Sequence, residues 1–166
     1  DEYELRILTT AALLHDIGKK FLEIDILNAR RTLNEEERSI VLQHPKLGYE
    51  FLRDNFDFAQ EVYLGVLEHH ECYNGEGYPM RTSGDEIGIY GRIIKLADVY
   101  DALVSDRVYK KAYSHEKAME MILNGECGMF NPLLLECLVE IQDKVCKELG
   151  IKGVNECLEY LEERNR

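Results

Sequence analysis

The sequence predicts an all-α domain spanning residues 1–166, and three observations support this fold class. Apolar residues recur at spacings of three and four along most of the chain, which is the period of an amphipathic helix. Helix-start signals accompany these stretches, and no convincing period-two alternation of the kind that marks a half-buried strand is present. The length of 166 residues fits one domain with one core.

The individual helices are predicted from apolar stripes and from capping residues. Asn34 followed by Glu37 forms a capping box, Pro45 suits the first turn of the next helix, and Ser114 is a further N-cap. Gly18 is predicted to stop the first helix. The apolar stripes are Leu5, Leu8, Ala12 and His15; Phe58, Val62, Val66 and His69; and Leu134, Leu138, Ile141 and Val145.

Three further elements complete the predicted fold. Residues 71–90 are dense in glycine and proline, which predicts a long loop, and a loop of that length in a compact domain is usually functional. A helix carrying Asp98 follows this loop. Asn131 and Pro132 are predicted to open a long helix, and residues 154–163 are predicted to form a short terminal one.

The charge of the chain restricts its partners. A net charge of −12 disfavours binding to long nucleic acids and to anionic membranes. No apolar run is long enough to span a bilayer and no signal peptide opens the chain, so a cytoplasmic location is expected. The five cysteines include no C-x-x-C pair, which favours free thiols in a reducing compartment. A small anionic substrate stays compatible with this charge if bound cations reverse it locally.

The histidines suggest where the chemistry lies. Four of the five fall on or at the ends of predicted apolar helix faces, namely His15, His44, His69 and His70. A single histidine on such a face is usually a core residue with an ordinary hydrogen-bond partner, but burying several without partners or a metal is costly. Asp16 beside His15, and Asp98 within an apolar helix, add carboxylates. This mixed set without thiolates suits iron, manganese or zinc, and two such ions form a phosphoryl-transfer site.

Nearby cations could contact a phosphate substrate. Lys19 follows the His15–Asp16 pair by about one turn, and Arg107 and Lys110 follow the helix that carries Asp98. Lysine and arginine commonly neutralise phosphate oxygens and the charge that develops in the transition state. Any one of them alone would be read as a solvated surface charge.

These residues also form a pattern that resembles the HD phosphohydrolase superfamily and its HD-GYP type. The first match is H-D-I-G-K at residues 15–19, followed by H-P-K-L-G at residues 44–48. H-H-E at residues 69–71 with N-G-E-G-Y-P at residues 74–79 resembles the signature loop of the HD-GYP type. A-D-V-Y-D-A-L at residues 97–103, through Arg107 and Tyr109, resembles a later segment of that family. Gly128, Phe130 and Pro132 resemble its closing G-x-F-x-P, and the likeness covers roughly residues 5–135.

The resemblance implies a helical HD-domain bundle with a G-Y-P loop beside the metal site. It also implies that a metal-bound hydroxide hydrolyses cyclic di-GMP to pGpG, and onward to GMP. It implies two or three divalent ions, iron or manganese, with Asp16 bridging them. Tyr78 would lie close to the substrate, and Lys19, Arg107 and Lys110 would contact phosphate. The implied metal ligands are His15, Asp16, His44, His69, His70 and Asp98.

One departure from the family and two alternatives stay open. The family places a glutamate and a histidine on a helix upstream of H-D-x-G-K, whereas fourteen residues precede His15 here and none is a histidine. We therefore expect this helix to be absent from the chain, and the number of ions stays open between two and three. The alternatives are a phosphohydrolase for another nucleotide and an inactive module that binds a ligand or a protein. Sensor or receiver domains outside the chain are expected to regulate it.

Overall fold

The computed structural model of the chain describes residues 1–106 and 111–149, and these residues form helices and loops without any β-strand. They fall into two compact units, which divide between Leu96 and Ala97. No helix of the described part is apolar over a length that would cross a membrane. The α-helices are α1 Glu2–Leu14, α2 Ile24–Leu27, α3 Glu35–Val41, α4 His44–Asn55, α5 Gln60–Glu68, α6 Ile89–Val104, α7 His115–Leu123 and α8 Pro132–Leu149.

The first unit is built around the packing of α1 on α5. Its core cluster contains Ile7 and Ala11 from α1, Val62 from α5 and Ile94 from α6. A Cβ built on Gly65 would lie 2.9 Å from the Cβ of Ala11, so the two helices approach at a pair of small residues. Apolar burial of this kind, about 25 cal/mol per Å² of surface removed from water, is the main driving force of the unit.

The buried face of α1 lies about one residue away from the predicted stripe. Ile7 and Ala11 are buried, whereas Leu5 is 61% exposed and Ala12 is exposed as well. Apolar residues surround much of this helix, so its sequence allows more than one stripe. The small side chain of Ala11, which fits against Gly65, decides which face is buried.

Gly18 has a different role from the predicted helix stop. Helix α1 ends at Leu14, and Gly18 lies within a 3₁₀-helix, Ile17–Phe21, that packs on α4. A Cβ on Gly18 would lie 1.9 Å from the carbonyl oxygen of His44 and 2.6 Å from the backbone nitrogen of Gly48. Glycine is therefore needed for a close approach of two backbones.

The capping signals are confirmed where they were predicted. The side chain of Asn34 accepts a hydrogen bond from the Glu37 backbone nitrogen, and the Glu37 carboxylate accepts one from the Asn34 nitrogen. The first turn of α4 contains Pro45. The predicted loop after α5 is also confirmed, and it contains one short 3₁₀-helix, Gly84–Glu86, before α6 begins.

The second unit contains α7 and α8. Ser114 caps α7 by accepting a hydrogen bond from the Lys117 backbone nitrogen, and Asn131 does the same for the Leu134 nitrogen at the start of α8. Met119 and Ile122 of α7 are completely buried. The helix predicted for residues 154–163 lies outside the described residues.

The buried face of α8 also differs from its predicted stripe. Leu135, Val139 and Gln142 are buried, whereas Ile141 is 47% exposed. The first turns of this helix carry apolar residues on most sides, so the period alone does not identify the face that packs.

The close approach at Gly18 leads to a prediction about stability. Gly18→Ala places a methyl group against backbone that cannot move aside, and we expect it to lower the free energy of unfolding by at least about 3 kcal/mol. Gly48→Ala is the matched control, because its Cβ would meet its nearest neighbours at 3.1–3.3 Å. Urea denaturation of both variants measures the difference, and equal losses would contradict the assignment.

Candidate metal centre

The candidate site forms where helix ends of the first unit meet. His15 is the C-cap residue of α1, and Asp16 follows it directly. His44 is the first residue of α4. His69 is the C-cap residue of α5 and precedes His70. Each of these residues thus lies at a helix terminus, where its side chain can reach beyond the end of the helix.

Three of these histidines have the same orientation. Each holds its Nδ1 atom against a backbone carbonyl oxygen three residues earlier, which can only accept a hydrogen bond. The neutral imidazole must therefore donate from Nδ1, which leaves Nε2 unprotonated with a free lone pair. The pairs are His15 with Ala12 at 2.6 Å, His44 with Val41 at 2.8 Å, and His69 with Val66 at 2.7 Å.

The unprotonated nitrogens converge on the carboxylate of Asp16. Its Oδ1 atom lies 3.2 Å from Nε2 of His44 and 3.9 Å from Nε2 of His69. Its Oδ2 atom lies 3.4 Å from Nε2 of His15. One ligand atom each from Asp16, His44, His69 and His70 lies within 4.8 Å of all the others. This spacing would allow a single ion to contact several of them.

The arrangement fits a cation. Oδ1 of Asp16 is buried and has no hydrogen-bond partner. Nε2 of His44 lies 3.3 Å from Nε2 of His69, so two lone pairs face each other in a buried position. Such a concentration of electron pairs is unfavourable without a positive charge between them. The donor set, imidazole with carboxylate and no thiolate, is one that divalent transition metals accept.

His115 provides a contrast within the same chain. It is also buried, but its Nδ1 lies 2.9 Å from the Tyr100 hydroxyl and its Nε2 lies 3.4 Å from the Gln142 side-chain oxygen. It is an ordinary core histidine with polar partners. The four histidines predicted from the sequence are thus distinguished from the fifth by their convergence.

The pKa values of three cluster residues favour the protonation states that bind a metal. Burial lowers the pKa of His69 to about 3 and the pKa of His70 to about 2, so both rings stay neutral at pH 7. Burial alone would raise the pKa of Asp16, but the Lys19 ammonium, which donates a hydrogen bond to Oδ2 and carries a positive charge, acts in the opposite direction, and the pKa of Asp16 lies far below its usual range. The carboxylate is therefore ionised.

Lys19 and Tyr78 border the cluster. Nζ of Lys19 donates to Oδ2 of Asp16 at 2.5 Å. The Tyr78 ring stacks on the His70 ring, with centroids 4.7 Å apart and planes inclined by 19°. A cation and an aromatic ring therefore lie at the edge of the site.

Glu71 holds the G-Y-P loop in place, a role that the sequence analysis did not assign. Its Oε1 atom accepts hydrogen bonds from the backbone nitrogens of Met80 at 2.6 Å and Arg81 at 3.0 Å. Arg81 has a φ of 59°, which is uncommon outside glycine. The signal in the sequence was the position of Glu71 within H-H-E, but its partners nine and ten residues later could not be inferred from spacing.

The roles of all the predicted site residues stay predictions, and three of these residues are not placed in the first unit. Asp98 lies within α6, in the residues that belong to the second unit. Arg107 and Lys110 lie outside the described residues. The remaining predicted ligands, His15, Asp16, His44, His69 and His70, come from the first unit.

Comparison with known families agrees with this geometry. The HD domain family model matches residues 1–129, which include the whole cluster. The chain belongs to the HD domain family. The expected membership of the HD superfamily is thus confirmed.

Curated relatives of this HD domain are phosphodiesterases of cyclic dinucleotides. A cyclic di-GMP phosphodiesterase of Vibrio cholerae is 36% identical over 84% of this chain and 30% of its own length. The cyclic di-GMP phosphodiesterase response regulator RpfG of Xanthomonas campestris is 37% identical over 83% of this chain and 37% of its own. A 3'3'-cGAMP-specific phosphodiesterase 2 of Vibrio cholerae is 36% identical over 86% of this chain and 28% of its own length. The chain thus spans about a third of the length of these relatives.

Solved structures share the fold of this HD domain. Bd1817, a HDG"Y"P protein from Bdellovibrio bacteriovorus, superposes with a TM-score of 0.67 at 21% identity, over 85% of this chain and 44% of that protein. The cyclic GMP-AMP specific phosphodiesterase V-cGAP3 of V. cholerae has a TM-score of 0.67 at 20% identity, over 97% of this chain and 44% of that protein. The predicted all-α HD fold is therefore confirmed.

The loop contacts of Glu71 lead to a prediction. Glu71→Ala removes two charge-assisted hydrogen bonds and should destabilise the loop by roughly 2–4 kcal/mol. Trypsin should then cut after Arg81 at least about tenfold faster than in the wild type, since 1.4 kcal/mol is a factor of ten. Glu71→Gln keeps one acceptor oxygen and should restore most of the protection. Equal cleavage rates in wild type and Glu71→Ala would contradict this role.

The histidine pKa values lead to a prediction for the metal-free chain. The unfolded chain protonates His69 and His70 near pH 6.5, whereas the folded chain does so only near pH 3 and 2. Their contribution to stability is complete above pH 6.5 and is lost as the pH falls below it. As the pH falls, the free energy of unfolding should decrease by about 1.4 kcal/mol per pH unit for each proton that the chain takes up on unfolding, and on the order of 1–2 protons are expected. Urea denaturation with EDTA between pH 7 and 5 measures it, and a flat profile would contradict the prediction.

Proposed function

We propose that this HD domain is a metal-dependent phosphodiesterase that hydrolyses cyclic di-GMP to the linear dinucleotide pGpG, and onward to GMP. The observation that carries the proposal is the convergence of unprotonated imidazole nitrogens on the orphaned Oδ1 atom of Asp16. The names of the relatives support the choice of substrate. A cyclic dinucleotide is also compatible with the net charge of −12, provided that the site itself is positive.

The proposed cofactor is a pair of divalent ions, iron or manganese, with a third as a further option. The ligands would be His15, Asp16, His44, His69, His70 and Asp98. When bound, such ions polarise the phosphate and supply a water nucleophile at neutral pH. Because neutral imidazole ligands carry no charge, most of the positive charge of the ions would remain uncompensated, which supports binding of an anionic phosphate at the candidate metal centre.

The remaining residues have proposed roles around the cluster. Asp16 would help to hold both ions, because each of its two carboxylate oxygens faces a histidine nitrogen. Lys19 orients Asp16 and neutralises charge on the phosphate, with support from its contact with Oδ2. Tyr78 stacks beside the substrate. Arg107 and Lys110 are proposed to contact its phosphates.

The setting of the domain is part of the same proposal. Residues 1–166 are proposed to form one HD-GYP-type domain, and sensor or receiver domains outside the chain would regulate it, which agrees with relatives about three times as long. We propose a cytoplasmic location, where thiols such as those of Cys72 and Cys137 are stable. Long nucleic acids and membranes are not proposed as partners.

A second candidate substrate is 3'3'-cGAMP. It has the same two phosphodiester bonds as cyclic di-GMP and differs in one base. It is favoured by the relatives that are named for its hydrolysis, which are 36% and 37% identical to this chain. A comparison of kcat/KM for the two cyclic dinucleotides distinguishes them.

The test is metal content and turnover on the same sample. We expect protein purified without oxygen to hold about two transition-metal ions per chain by mass spectrometry and to release pGpG from cyclic di-GMP. Ions without turnover of any cyclic dinucleotide would favour a phosphohydrolase for another nucleotide. The absence of bound metal would favour an inactive binding module instead.

Variants sharpen this test. His69→Ala and Asp16→Asn should lose both metal and hydrolysis, whereas Lys19→Ala should keep the metal and lose activity on the order of 10²-fold. His115→Gln is the matched control, because this buried histidine lies outside the cluster. Turnover at the wild-type rate in His69→Ala would contradict the metal site.

A further inference from the structure

An open cavity of about 580 Å³ lies on one side of the metal cluster. Its walls come from α3, from the start of α4 and from the G-Y-P loop, all within the first unit. The lining residues that matter here are Arg38, Lys46, Tyr78, Met80 and Arg81. A volume of this size is typical of sites that hold a small molecule.

The cavity adjoins the cluster at Tyr78. This tyrosine lines the cavity, and its ring also stacks on His70 at 4.7 Å. Gln43, another lining residue, directly precedes the candidate ligand His44. The cavity therefore lies next to two of the candidate ligands.

The cavity is cationic within an acidic chain. Arg38, Lys46 and Arg81 line it together with a single acidic residue, Glu35, whereas the whole chain carries −12. The three cationic side chains make no hydrogen bond or ion pair with the part of the chain that the structure describes. Their charges are therefore available to an anion, and nearby cations of this kind bind phosphate through charge-assisted hydrogen bonds.

The wall that carries Arg81 is held in place before any ligand binds. Glu71 is 1% exposed and accepts hydrogen bonds from the backbone nitrogens of Met80 and Arg81. These bonds keep Arg81 at a positive φ of 59°. This region of backbone conformation is strained for a non-glycine residue, and such strain persists where the surroundings impose it. The position of Arg81 at the cavity is thus preorganised.

We propose that this cavity is a subsite for the half of the cyclic dinucleotide that is not cleaved. Arg38, Lys46 and Arg81 bind its second phosphate, and Tyr78 with Met80 contacts the attached base. A cyclic dinucleotide joins two phosphodiesters in one ring, so when one lies at the ions the other must lie beside them. The subsite rests on the proposed cyclic dinucleotide hydrolysis, and it explains why cations line this side of the site.

The test compares two substrates on the metal-loaded chain. Cyclic di-GMP has a second phosphate, whereas bis(p-nitrophenyl) phosphate has one phosphodiester and nothing to place in the cavity. We expect the double variant Arg38→Gln/Lys46→Gln to raise KM for cyclic di-GMP at least about tenfold, with kcat changed less than about twofold, because charge-assisted hydrogen bonds are lost. The ratio of kcat/KM for the two substrates should fall by the same factor.

A binding measurement and a control accompany the kinetics. A phosphorothioate analogue of cyclic di-GMP, titrated calorimetrically into the metal-loaded chain, should bind the double variant about tenfold more weakly. Arg81→Gln should act in the same direction, and both Arg38 and Lys46 lie in helices where glutamine leaves the backbone intact. Arg53→Gln is the matched control, because this exposed arginine on α4 lies outside the cavity and pairs with Asp54.

The outcomes separate the subsite from the proposed function. A wild type that cleaves cyclic di-GMP, with unchanged KM and Kd in the double variant, would overturn the subsite alone. An equal loss for both substrates would overturn it too, because the cations would then act on the cluster itself. A wild type that cleaves bis(p-nitrophenyl) phosphate but neither binds nor cleaves cyclic di-GMP would overturn the proposed function and, with it, the subsite. Binding of an acidic protein partner by Arg38 and Lys46, with KM unchanged, would assign the cavity to that partner.

Discussion

The hydrogen bonds from the histidine Nδ1 atoms to backbone carbonyl oxygens constrain the rest of the site. They set the tautomer of His15, His44 and His69, and thereby turn three Nε2 lone pairs toward Asp16. Each carbonyl belongs to the last turn before its histidine, where carbonyl groups lack helical partners. The helix ends thus supply the orienting acceptors, and no further side chain is needed for that purpose.

The residues that the structure brings together at the candidate metal centre could largely be identified from the sequence. Four histidines at helix ends and one adjacent carboxylate were recognisable from period and order, and the structure brings five of the predicted ligands to one place. Helix starts were also predictable, because capping is a local interaction between residues three apart, such as Asn34 and Glu37.

Other features depended on contacts between distant residues and could not be predicted. The buried faces of α1 and α8 lie one residue from the predicted stripes, because both helices carry apolar residues on several sides and the partner decides which face packs. Gly18 looked like a helix stop, but its role depends on a backbone far along the chain. The hydrogen bonds of Glu71 and the cations of the cavity are non-local in the same way.

The contact of Gly18 with the His44 carbonyl oxygen has a consequence for the energetics of ion binding. The backbone next to the Asp16 carboxylate and the backbone of a histidine ligand touch directly, so the separation of these two ligands is set by close packing of the chain. An ion that binds there does not have to order the polypeptide, and little of its binding free energy is lost as conformational entropy. Small zinc modules, which are unfolded until the metal arrives, instead lose this entropy when the ion binds.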